Sequence, residues 1–179
     1  MDPEFFEQLA LPLFDSLYNF AHWLTGDRVD AEDLVQETYA KALKGFKSFQ
    51  EGTNLRAWMF RILRNTFLTS RTGLMARNTL SLEEEAAETE VFVAHTITPE
   101  SVLLRNENQQ MLLDALAALP VHYREIILLC EVEELSYREI ADVLSLPIGT
   151  VMSRLSRARN SLRHSLVATV PGRSQHEAV

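Results

Sequence analysis

The chain has 179 residues, 46% of them hydrophobic, and sets 17 Lys and Arg against 25 Asp and Glu for a net charge of −8. That length allows one domain or two small ones with packed cores, and no apolar run reaches the roughly 18 residues a membrane span needs, so no membrane insertion is expected. One cysteine, Cys130, excludes an internal disulfide, and the acidic start (Asp2, Glu4, Glu7) is unlike a secretory signal, so the expected setting is the reducing cytoplasm.

The apolar periodicity is helical almost throughout, with no convincing strand pair. A first helix is expected over about 3–10 and a second from Pro12 towards Leu24, with Leu13, Leu17, Ala21 and Leu24 inward and Gly26 as its stop. Asp30 then reads as the cap of a helix running to about Phe46. Its inner face would be Val35, Tyr39, Ala42, Leu43 and Phe46, and its outer face Glu32, Gln36, Glu37, Lys41 and Lys44. A loop over 47–53 leads to a helix capped by Thr53 or Asn54, with Leu55, Trp58, Met59, Ile62 and Leu63 inward and Arg61, Arg64 and Arg71 on another face. From 78 to 100 the character changes: six glutamates, no Lys or Arg and weak periodicity describe a linker, flexible in isolation. A tether is the simpler role for it, an acidic strip that follows or shields a basic surface the sharper one.

Thr98-Pro99-Glu100 opens the next helix, with Leu112, Leu116 and Leu119 as its inward row, and Pro120 marks the following boundary. Cys130 falls within an apolar run (126–132, IILLCEV) and reads as a buried core thiol rather than a redox switch. Residues 136–159 (SYREIADVLSLPIGTVMSRLSRAR) read as two short helices joined by a tight turn. Ser136 and Glu139 have the spacing of a capping box, and Ile140, Ala141 and Leu144 form the first helix's inner face. Pro147 suits the first turn of the second helix, where its missing N–H costs nothing. Ile148, Val151, Leu155, Ala158 and Leu162 then form an inward stripe. Ser153, Ser156, Arg157 and Asn160 point away from it, flanked by Arg154 on one side and Arg159 and Arg163 on the other. Short polar and guanidinium groups on a supported helix suit a DNA major groove.

The charge is unevenly spread. Residues 143–176 hold five arginines (Arg154, Arg157, Arg159, Arg163, Arg173) and no acid; residues 53–82 hold five more (Arg56, Arg61, Arg64, Arg71, Arg77), again with no acid. Either window alone fits a solvated helix face equally well; two together, one overlapping a helix-turn-helix pattern, favour local contact with DNA phosphates. The five histidines (His22, His95, His122, His164, His176) lack metal-ligand spacing, and no phosphate loop or nucleophile elbow is present. The sequence therefore points to a non-enzymatic protein without cofactor or metal.

Four segments in order, 30–42 (DAEDLVQETYAKA), 57–65 (AWMFRILRN), 119–125 (LPVHYRE) and 135–159, resemble the extracytoplasmic-function (ECF) sigma factors of bacterial RNA polymerase. The resemblance implies an all-α chain: a sigma-two-like helical bundle (1–77), a flexible acidic linker (78–98), a sigma-four-like helix-turn-helix domain (99–170) and a disordered tail (171–179). It also implies that Asp33, Gln36, Glu37 and Lys41 bind core polymerase, on the beta-prime clamp helices, with further contact to the beta subunit. A solvated amphipathic helix is the plainer account of the same pattern.

By the same resemblance, residues 47–71 read and open the minus-ten promoter element. Ser48, Phe49 and Asn54 belong to the loop that captures a flipped base, Asn65 lines it, and Arg61 and Arg64 hold phosphates, with Trp58 kept as core. Housekeeping relatives carry a tryptophan pair where this chain has Trp58-Met59, which implies weaker melting and a stricter promoter. Tyr137, Thr150, Ser153, Arg154 and Arg157 match positions at the minus-thirty-five duplex. Met152 and Cys130 depart from a common basic residue, which bears on promoter sequence but not on binding mode. An anti-sigma partner is implied by resemblance alone, as is a role in stress-responsive transcription. Two rival functions stay open: a helix-turn-helix regulator acting without polymerase core, and a helical adaptor or anti-sigma-like interaction module.

Overall fold

A computed structural model describes residues 3–49, 52–78 and 107–169. Every regular element among them is helical. The expected linker, the helix start at Thr98-Pro99-Glu100 and the tail lie outside the described residues.

Helix α1 (Pro3–Ala10) stops at a 3-10 turn, Leu11–Leu13, that contains Pro12. Helix α2 (Phe14–Thr25) ends at Gly26, whose left-handed backbone (φ 73°) lets its N–H donate to the His22 carbonyl. Helix α3 (Arg28–Gly45) starts three residues earlier than the sequence suggested. Its cap is Asp27, not Asp30: the Asp27 carboxylate accepts from the backbone N–H of Val29 (2.8 Å) and of Asp30 (3.0 Å). Its buried face is Ala31, Leu34, Val35, Thr38 and Ala42, while Leu43, expected inward, is 47% exposed. After a 3-10 turn (Phe46–Ser48), helix α4 (Leu55–Asn78) begins at Asn54, whose side-chain oxygen accepts from Arg56 N–H at 3.0 Å.

The C-terminal lobe consists of α5 (Glu107–Ala117), α6 (Val121–Ile127), α7 (Tyr137–Leu144) and α8 (Ile148–Thr169). Helix α6 runs on into a π turn, Leu128–Val132, which no local sequence signal announced. Leu116 and Leu119 are buried as expected, whereas Leu112 is exposed. In α8 Val151, Leu155 and Ala158 are buried, but Ile148 is 45% exposed at the first turn. Pro147 sits just before α8 rather than within it, and its carbonyl accepts from the N–H groups of Thr150 and Val151.

Each lobe has a dense centre: Leu17, Phe20, Met59, Phe60 and Leu63 in one, and Ile126, Leu129, Ile140, Val143, Val151 and Leu155 in the other. The two centres join in a single hydrophobic cluster, because α4 packs on α7 and α2 on α6. Arg124 reinforces the junction. From its buried position it donates to the α5 C-terminal carbonyls of Leu116 and Ala117, to Leu119, and across the lobes to the Trp23 carbonyl at 2.8 Å. Helix C-terminal carbonyls carry partial negative charge, so a guanidinium there is satisfied without a carboxylate. Burial nonetheless lowers the Arg124 pKa from its ordinary value. No described helix is long and apolar enough to cross a membrane.

Candidate nucleic-acid interface

The loop before α4 and the first two turns of that helix build a cavity of about 300 Å³. Its walls are Ser48, Phe49, Thr53, Asn54, Ala57, Trp58 and Arg61, with Glu139 and Asp142 closing it from α7. The helical spacing of 54, 57, 58 and 61 explains the N-terminal wall: these positions share one face of α4. Phe49 holds the loop in place, its ring stacking on Phe46 (centroids 5.9 Å apart) and tilting against Trp58 (5.2 Å). Ser48 is tied down by a 2.6 Å bond from its hydroxyl to the Gly45 carbonyl. Trp58, read as core, is half-buried and belongs to both core and cavity wall.

The expected minus-ten residues thus come together only in part. Ser48, Phe49, Asn54 and Arg61 share the cavity; Asn65 does not line it. Asn65 is exposed one turn beyond Arg61, its carbonyl accepting from the Thr69 hydroxyl. Arg64 faces the other lobe. Its Nε and one terminal nitrogen donate to the two oxygens of Glu125 at 2.9 and 3.2 Å, and its other terminal nitrogen reaches the Leu144 carbonyl. The pair is enclosed, with side-chain exposures of 13% and 5%. Arg56, which the sequence reading gave no role, pairs with buried Glu133 and reaches Ser16 Oγ. Asn54 donates to Glu139 at 2.6 Å while capping α4. No local pattern could have found these pairs, because the partners lie 61 to 85 residues apart.

Two carboxylates at this junction have opposite environments. Burial raises the Glu133 pKa above its ordinary value even though the Arg56 charge and hydrogen bond oppose it. The hydrogen bond from Asn54 is the main cause that lowers the Glu139 pKa, helped by the Ser136 backbone and hydroxyl against a burial penalty. Ser136 and Glu139 form the expected capping box of α7.

Helix α8 presents a different surface. Ser153, Ser156, Arg157 and Asn160 are exposed together, and Met152 is 55% exposed beside them. Thr150 and Arg154 are half-buried, and Ser153 Oγ donates to the Thr150 carbonyl. Tyr137 is 36% exposed at the start of α7. Arg159 leaves the outward row to bind Glu131, Nε to oxygen at 2.9 Å, with its other end 3.8 Å from the Cys130 sulfur. Cys130 is therefore half-buried rather than a core thiol, and burial is the main cause that raises its pKa.

The outer face of α3 is open at Asp33, Gln36 and Glu37. Lys41 is drawn in, pairing with Glu37 at 2.7 Å and donating to the buried Thr66 hydroxyl at 3.2 Å. No group of described His, Cys, Asp and Glu residues has the arrangement of a metal site.

The family model "Sigma-70 region 2" matches residues 13–74 and "Sigma-70, region 4" matches 109–162. An ECF RNA polymerase sigma-E factor from Haemophilus influenzae is 34% identical over 78% of this chain and 76% of its own length. The chain belongs to the ECF sigma factors. It is an alternative sigma factor, a transcription initiation factor and not an enzyme, with α7 and α8 as the helix-turn-helix of region 4. ECF sigma factor SigE of Mycolicibacterium smegmatis is 33% identical over 89% of this chain, which spans 64% of that relative's length. Among solved structures, the sigma factor RpoE of Bartonella quintana, in complex with the anti-sigma factor NepR, superposes with a TM-score of 0.68 at 32% identity, covering 92% of this chain and 98% of that one. The all-α, two-domain fold is that of the ECF sigma factors.

Proposed function

We propose that this sigma factor binds core RNA polymerase through the outward face of α3 and recognises promoters at two points. Asp33, Gln36 and Glu37 offer an exposed polar row that fits the beta-prime clamp helices, with Lys41 setting its edge by holding Glu37. The cavity at the head of α4 takes a base extruded from the minus-ten strand. Phe49 and Trp58 supply aromatic surface, Asn54 and Ser48 polar edges, and Arg61 and Arg64 the cations for the single-strand backbone. Asn65 contributes from the turn beyond. Helix α8 enters the major groove of the minus-thirty-five element with Thr150, Ser153, Arg154 and Arg157, and Tyr137 approaches the flanking phosphate.

The observation that carries this reading is the aromatic-walled cavity, which a regulator binding only duplex operators has no use for. An anti-sigma protein is the expected antagonist, since the superposed RpoE chain was solved with one. Transcription in vitro with purified core polymerase on a randomised promoter pool tests the proposal. Transcripts should depend on the chain and share two sequence elements at fixed spacing; no core-dependent initiation would overturn it.

A further inference from the structure

The exposed side of α8 divides along its length. Its cations begin only at Arg154, and the residues before it are apolar or neutral. Among these, Ile148 and Met152 stand one turn apart on the same side of the helix, 45% and 55% exposed. A helical side chain leans over the turn N-terminal to its own Cα, so Met152 lies towards Ile148 and Gly149. Gly149 has no reason within the molecule to be glycine. Its backbone is ordinary helix rather than left-handed, and a Cβ added there would meet nothing within 4 Å. Glycine is a poor helix former, and what it offers in return is close approach of another surface to the backbone. A lone exposed methionine would need no explanation. Two uncovered apolar side chains beside a bare stretch of backbone are a different case, because this end of a recognition helix is the one that meets base edges.

We propose that Met152 is a specificity-determining residue for the duplex element, its thioether methyl packing on the C5-methyl of a thymine. Ile148 closes the far side of that contact, and Gly149 lets the groove wall come up to the helix. The inference rests on the reading of α8 as the minus-thirty-five helix. Thymine is the occupant the chemistry selects, since of the four bases only it presents an apolar group in the major groove. A guanine or adenine edge would turn hydrogen-bond groups towards a side chain that cannot satisfy them. The phosphates go instead to cations, and Arg154 and Arg157 lie farther along the same helix. A basic residue in place of Met152 would trade the methyl contact for a charge. The substitution would therefore change which base is read, and not only how tightly.

The test uses holoenzyme reconstituted from core polymerase and the full-length chain. Promoters selected from a randomised pool should carry thymine in the upstream element, and each such thymine, on either strand, is replaced in turn by deoxyuridine in synthetic duplexes. That replacement removes one methyl group and leaves every hydrogen bond of the base pair. In competition binding it should weaken the wild-type holoenzyme about fourfold at one position, the worth of one buried methyl group. Met152→Ala should bind that duplex pair equally, and Met152→Leu should restore most of the difference. Gly149→Ala should raise the melting temperature of the free chain and still weaken promoter binding, which a glycine of purely internal purpose would not do.

An upstream element without thymine, or one in which deoxyuridine costs nothing at any position, would overturn the contact while leaving the transcription test of the proposed function intact. A methyl effect that persists unchanged in Met152→Ala would assign the thymine to another side chain and overturn it too. Weakened binding of core polymerase itself by Met152→Ala would place the apolar edge at a protein interface instead. Unaltered promoter binding by Gly149→Ala would remove the close approach on which the contact depends. Absence of any core-dependent initiation would defeat the reading of α8, and this inference with it.

Discussion

Helices α4 and α8 come from the two acid-free windows of the sequence, each with five arginines, yet their cations are used in opposite ways. On α4, Arg56 and Arg64 are turned onto carboxylates of the other lobe. On α8, Arg157 stays in the open with the short polar residues around it, while Arg159 is diverted onto Glu131. A cluster of arginines therefore does not define a free basic surface. What matters is where the acids excluded from the window return in three dimensions, and here they return at the lobe junction.

The change that should break this contrast most severely is Glu125→Ala, which strands Arg64 in a buried position. Removing one partner of a buried pair costs about 3–5 kcal/mol while the other charge stays buried. Arg64 escapes that cost by rehydrating, which requires the lobes to separate. Both tryptophans of the chain, Trp23 and Trp58, lie in the N-terminal lobe, with Arg124 of the other lobe over the Trp23 ring, so their fluorescence follows that lobe and its junction rather than the rest of the C-terminal lobe. In urea, the fluorescence and far-UV circular dichroism transitions should coincide for the wild type and diverge for Glu125→Ala. Coincident transitions in both would mean that the pair does not couple the lobes.

A smaller effect is expected on the open side of the contrast. Arg157→Ala should lose roughly 1–3 kcal/mol of discrimination at one base of the duplex element, the worth of a bidentate guanine contact. Because Arg157 is exposed, the radius of gyration and the urea midpoint should hardly move. Competition binding against duplexes substituted at each position reads the loss directly. A uniform loss across all sequences would make Arg157 a phosphate contact instead.

How far the sequence foretold this contrast depends on distance along the chain. The capping box of α7 was legible because its two residues are three apart and satisfy backbone groups of the same turn. The α3 start was misplaced by one cap because Asp27 and Asp30 are both good caps, and Gly26 ends α2 immediately before the first of them. Leu43, Leu112 and Ile148 fit a helical stripe yet are exposed, because periodicity fixes a face but not how far the neighbouring element reaches along it. Small residues such as Ala31 and Thr38 were missed for the complementary reason: they are buried where helices approach closely. The junction pairs and the π turn had no local signature at all. The cavity was half legible, its N-terminal wall following from helical spacing and its cover of Glu139 and Asp142 coming from a remote helix.

Ser136→Ala connects the cap to the lobe junction. Loss of a serine cap costs about 1 kcal/mol of helix stability. In α7 the same serine orients Glu139, whose Oε2 accepts from both its backbone N–H (2.7 Å) and its hydroxyl (2.8 Å) while Oε1 accepts from Asn54. The substitution should therefore lower the melting temperature of the C-terminal lobe and also loosen its contact with Asn54, read as a larger radius of gyration in small-angle scattering. A stability loss with an unaltered radius of gyration would separate the cap from the lobe junction.

The smallest effect, and the one that dissects the lobe junction most finely, is the response of its closed packing to acid. Glu139 has a lowered pKa, so its contribution to the closed fold is complete above the ordinary glutamate value of 4.5 and is lost as pH falls through the lower folded value. Glu133 has a raised pKa, so its sign is opposite: its contribution is complete below 4.5 and declines as pH rises through the higher folded value, because burying the ionised form is costly. Closure should therefore pass through a shallow maximum between these two ranges. Glu133→Gln should flatten only the decline on the neutral side, and Glu139→Gln only the loss on the acid side, in scattering measured as a function of pH. If one substitution flattened both limbs, the two carboxylates would be titrating as a single coupled unit, and the lobe junction would rest on one lock rather than on separate contacts at the head of α4.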